Sequence, residues 1–131
     1  MKATVKMERN KEGFFSCYVD DDNLPFGLQG YGKTAKEARE DLLIGYQETK
    51  EYRSENGLET PNLEFDFQYD LQSFFNYFNW LNISAVAKLA GVNESLMRRY
   101  SSGSAKAWER QYAKINKAVR QMSADLYRAK L

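Results

Sequence analysis

Across Asn93 to Ser102 the chain reads Asn-Glu-Ser-Leu-Met-Arg-Arg-Tyr-Ser-Ser. Wound as a helix with Met97 and Tyr100 facing inward, this segment turns Asn93, Glu94, Ser95, Arg98, Arg99 and Ser102 outward, all able to donate or accept hydrogen bonds. That is the chemistry of a nucleic-acid contact. An arginine fork matches the two acceptors of guanine in the major groove, or it holds a phosphate, whereas Asn and Ser hydrogen-bond base edges or backbone oxygens. Arg98 and Arg99 lead, one suited to guanine and the other to phosphate, with the assignment between them open. Asn93, Ser95 and Ser102 are secondary contacts.

Other chemistries find less support. The chain has no His, which removes the usual acid–base residue and the commonest metal ligand. Its single Cys17 forms no internal disulfide, and between Phe15 and Val19 on one strand face it reads as a small core residue. Asp20-Asp21-Asp22-Asn23 lacks the spacing of a calcium loop and reads as a solvated turn. No metal, cofactor or catalytic residue is expected.

The outward residues need a scaffold. Ile83 to Tyr100 supplies a small residue for a helix crossing (Ala87), a Gly for the turn (Gly91), and apolar residues to lock the second helix: Val86, Ala90, Val92, Met97 and Tyr100. Asn93 is placed to cap that second helix. This is a helix-turn-helix pattern. Before it, Leu71, Phe74, Phe75, Phe78 and Leu81 predict a helix over 71–81 with Asp70 as its N-cap. After it, Tyr112, Ile115, Val119, Met122 and Leu126 predict a helix whose apolar seam closes the core or pairs two subunits.

The preceding residues follow other periods. Lys2 to Glu8 alternates as a half-buried strand, Asn10-Lys11-Glu12-Gly13 supplies a hairpin turn, and Phe14 to Val19 returns. Phe26 to Tyr31 reads as a short third strand weakened by Gly27 and Gly30. Thr34-Ala35-Lys36-Glu37 is a capping box in which Glu37 would reach back to the Thr34 amide. The helix it opens runs to about Tyr52, with Ala38, Leu42, Gly45, Tyr46 and Thr49 inward, and Asn56-Gly57 ends it. Leu63 to Asp70 then alternates without error, with Leu63, Phe65, Phe67 and Tyr69 on one face.

Charge divides along the same line. Residues 1–70 hold 9 Lys and Arg against 15 Asp and Glu, net −6, and residues 71–131 hold 10 against 3, net +7. Two modules with oppositely charged partners are expected, 1–70 being α+β and 71–131 all-helical. No apolar run approaches a membrane span and no signal-peptide core opens the chain, so a cytoplasmic protein without a membrane partner is expected.

The motif Gly32-Lys33-Thr34-Ala35-Lys36-Glu37-Ala38, with the acidic turn, the Glu12-Gly13-Phe14 hairpin entry and Leu24-Pro25, resembles the N-terminal domain of HicB-type antitoxins, a partial RNase H-like fold of β-β-β-α-β order. The resemblance covers residues 1 to about 70. Phe26-Gly27 follows Leu24-Pro25 where that family often has Gly-Cys. Residues 83–100 are similar to the helix-turn-helix of XRE-like repressors and of many HicB-type C-terminal domains. The resemblance implies a type II antitoxin that blocks a small basic HicA-like mRNA-cleaving toxin and, as a homodimer or higher oligomer, represses its own operon by binding double-stranded operator DNA. The alternative is a stand-alone regulator whose first module dimerises or senses another partner. A metal-dependent RNase H-like nuclease is disfavoured, since Glu64, Asp66 and Asp70 share one strand without a convergent partner set.

Overall fold

In the computed structural model, which describes residues 1–131, alternation buries Ala3, Val5 and Met7 of strand β1 (Lys2–Arg9) on one face. Asn10 closes the hairpin, its side-chain oxygen accepting from the Glu12 and Phe14 amides at 3.0 and 2.9 Å. β2 (Phe15–Val19) returns antiparallel, from Arg9↔Phe15 to Val5↔Val19, and β3 (Gln29–Gly32) pairs with β2. β4 (Glu64–Tyr69) lies parallel to β1, giving the order β3-β2-β1-β4. A parallel neighbour demands a crossover, and helix α1 (Ala35–Glu55) provides it. Ala35, Ala38, Leu42 and Tyr46 of α1 meet Val5, Met7, Phe15, Cys17, Leu28 and Leu63 in one core.

Several details differ from the sequence expectations. β3 begins at Gln29 rather than Phe26, because Phe26 leaves the strand line to pack against the core, with the Arg53 guanidinium 5.4 Å from its ring centre. Thr34 caps α1 by accepting from the Glu37 amide at 3.1 Å, but the Glu37 carboxylate reaches the Lys33 amide, at 2.9 Å, one residue earlier than expected. At its other end α1 runs to Glu55, and Gly57 (φ +70°) lets the Leu58 amide return to the Arg53 carbonyl at 2.8 Å.

Helix α2 (Leu71–Tyr77) starts where expected, with Asp70 accepting from the Ser73 amide at 2.8 Å, but ends at Tyr77 instead of Leu81. It packs on α1, β1 and β4, and its Asn76 side chain accepts from the Ala35 amide at 2.8 Å, serving the start of α1. The compact units are therefore Met1–Tyr77 and Phe78–Leu131, with the division after Tyr77 rather than Asp70. Residues 71–77 carry no Asp, Glu, Lys or Arg, so the charge split is the same at either boundary.

The second unit consists of α3 (Ile83–Ala90), α4 (Glu94–Ser102) and α5 (Glu109–Arg128), with α3 packed against both of the others. Val86, Ala87, Val92, Met97, Tyr100, Ile115 and Ala118 are buried. The seam of α5 is covered only in part: Val119 and Met122 are half-buried, and Leu126 is 62% exposed. Length explains this, since a 20-residue helix is about 30 Å long and an eight-residue one about 12 Å. Together the units make a mixed α+β protein with a four-stranded sheet and five helices. No helix is long and apolar enough to cross a membrane.

Candidate nucleic-acid interface

The turn between α3 and α4 follows from a few residues. Asn82 caps α3 by accepting from the Ala85 amide at 3.0 Å. Gly91 adopts φ +70°, ψ +34°, a left-handed conformation that costs a side-chain-bearing residue, and the Val92 amide closes back on the Ala87 carbonyl at 3.0 Å. Asn93 caps α4, accepting from the Leu96 amide at 3.0 Å. Ala87, fully buried on α3, and Met97, fully buried on α4, bring the two helices together.

The six predicted residues share the outer side of α4 and its ends, but they differ in what remains available. Asn93 uses its side-chain oxygen as the cap. Ser102 lies at the last turn and donates to the Arg99 carbonyl at 3.2 Å, turning its hydroxyl toward the backbone. Glu94 and Arg98 form an ion pair one turn apart, Nη2 to Oε1 at 2.5 Å. Ser95 and Arg99 are exposed, four residues apart on one stripe, and the Arg99 guanidinium has no ion pair.

A seventh residue joins this group. Ser84, in the first turn of α3, donates its hydroxyl to Glu94 Oε1 and accepts from Arg98 Nη2 at 3.2 Å. The Ser84 hydroxyl, followed by the charges of Arg98 and Lys88, holds the Glu94 carboxyl below its ordinary pKa, so it is ionised at neutral pH. Ser84 is ten residues from Glu94 in sequence. Only closure of the turn at Gly91 brings them together, and no periodic signal marks the pair.

The first unit presents the opposite charge. Glu37, Glu40, Asp41, Glu48, Glu51 and Glu55 of α1 are exposed. Several cations of that helix lie down on aromatic rings instead: Arg39 is 4.2 Å from the Phe67 ring centre and 5.0 Å from that of Tyr77, and Lys50 is 4.7 Å from that of Tyr46. The solvent face of α1 is consequently acidic. The Asp-rich turn is held by ordinary contacts, with Asp20 paired to Lys6 at 3.0 Å and Asp21 accepting from the Asn23 amide at 3.0 Å. Cys17 is buried with its Sγ 3.3 Å from the Ala38 carbonyl, and burial pushes its thiol pKa up to about 11, which leaves it protonated and unreactive at neutral pH.

Comparison with protein-family models, with curated proteins and with solved structures finds no match.

Proposed function

We propose that α3, the Gly91 turn and α4 form a DNA-binding helix-turn-helix, and that the chain is a HicB-like antitoxin and autorepressor. One observation carries the DNA half: α4 offers an exposed arginine and an exposed serine on one stripe, Arg99 and Ser95, in a unit holding 10 Lys and Arg against 3 Asp and Glu. Such a surface gains phosphate affinity from charge and sequence discrimination from its fork-shaped donors. A homodimer would place two copies of α4 in successive major grooves.

The antitoxin half rests on the β-β-β-α-β order, on the Gly32 to Ala38 motif, and on the acidic outer face of α1, which suits a small basic toxin that cleaves RNA. In this reading the sheet unit is partial RNase H-like and binds the toxin without chemistry of its own.

The test is a gel-shift titration of the full chain on DNA flanking its own gene, beside an Arg98→Ala/Arg99→Ala variant. Sequence-selective binding by the wild type, weakened about thirty-fold or more in the variant, is expected if each arginine contributes about 1–3 kcal/mol. Equal binding by both proteins, or none by either, rejects the DNA half. The toxin half is tested separately: an adjacent gene encoding a small basic protein that arrests growth when expressed alone, with growth restored when this chain is co-expressed, supports it, and the lack of any such gene or of rescue rejects it.

A further inference from the structure

We infer that the two arginines of α4 have different jobs, Arg99 reading a guanine and Arg98 holding a phosphate, and that Glu94 with Ser84 imposes the division. This rests on the DNA-binding reading above.

A guanidinium makes a two-pronged contact along either of two edges, Nε with Nη2 or Nη1 with Nη2. Both edges include Nη2. In Arg98 that nitrogen is already engaged, donating to Glu94 Oε1 at 2.5 Å and to Ser84 Oγ at 3.2 Å. The two hydrogens of Nη2 are thereby used, so neither edge of Arg98 can meet the paired O6 and N7 acceptors of guanine while the triangle stands. Nη1 and Nε remain for single contacts, which is what a phosphate oxygen needs.

Arg99 is the opposite case. Its backbone carbonyl accepts from Ser102 Oγ and from the Ala105 amide, but its guanidinium makes no hydrogen bond or ion pair, so both edges are open. It shares a stripe with exposed Ser95, one turn nearer the start of α4. Glu94 thus acts as a positioning residue. Ser84 fixes it from α3, so the held geometry belongs to the packed helix pair rather than to α4 alone.

The experiment is selection from a randomised DNA duplex library with the full chain, followed by titration of the selected duplex and of copies changed at each guanine, at several salt concentrations. Arg99→Lys keeps the charge and loses the fork. It is expected to lose about ten- to a hundred-fold of the preference for one guanine while the salt slope stays the same. Arg98→Ala is expected to weaken every duplex alike and lower the salt slope by about one per subunit, with the base preference kept. Glu94→Ala removes the acceptor that holds Arg98 Nη2, and is expected to raise affinity for unrelated duplexes and to broaden the base preference at the Arg98 contact; an unchanged base preference would overturn the role given to Glu94. Loss of the guanine preference in Arg98→Ala, and its survival in Arg99→Lys, would overturn the division of labour. A wild-type chain that selects no sequence would instead reject the DNA-binding reading itself.

Discussion

Tyr46 shows how one hydroxyl ties a helix to the strand that follows it. Its OH donates to the Pro61 carbonyl at 2.8 Å and accepts from the Leu63 amide at 2.9 Å, while its ring meets the edge of Phe65 with centroids 5.2 Å apart. Tyr46→Phe keeps the ring packing but strands a donor and an acceptor in a site only 8% exposed. It is expected to cost about 1–3 kcal/mol, seen in urea titration as a lower midpoint at unchanged slope. Sequence placed Tyr46 on the inward stripe of α1 because helical period is a local property. Its two partners were not legible, since they depend on where the chain after Gly57 comes to rest. The same holds for Ser84, whose spacing from Glu94 carries no periodic signal.

Elements meet most closely where β3 passes under α1. A Cβ built on Gly30 would lie 2.2 Å from the Ala38 carbonyl oxygen and 2.7 Å from the Leu42 amide nitrogen. Helix backbone does not yield as a side chain does, so α1 would have to lift from the sheet. Gly30→Ala is expected to cost about 3 kcal/mol or more in thermal or urea unfolding, whereas Gly27→Ala, with nothing within 4 Å, is expected to stay within about 0.5 kcal/mol. Read along the chain, Gly30 weakens a strand; in the fold it admits a helix. Strong local periodicity made β1, α1 and β4 legible, and capping chemistry made the starts of α1, α2 and α4 legible. The end of α2 was not, because Phe78 and Leu81 continue an apolar helical pattern past the point where the chain turns at residues 78–80.

At the scale of the molecule the charge split was legible from composition, because ionisable side chains stay at the surface whatever the fold. The boundary was not, since residues 71–77 carry no charge to mark their side. If α4 and its unit neutralise about four phosphates, tripling the salt concentration should weaken DNA binding about fifty-fold, with a log–log slope near −3.6. Fluorescence anisotropy across a salt series measures it. A slope near zero would mean that the net +7 of the second unit faces something other than a phosphate backbone.

The position of β1 inside the sheet also sets a timetable for synthesis. It is translated first among the strands, yet its far edge is completed only by β4, whose residues follow after α1. At about 5–20 residues per second, the roughly 60 residues between them take about 3–12 s to emerge from the ribosome. For that interval the β1–β2 hairpin has an open edge. Lys2, Lys6 and Arg9 in that strand give the nascent hairpin the positive charges that discourage it from pairing with another chain before its own partner arrives.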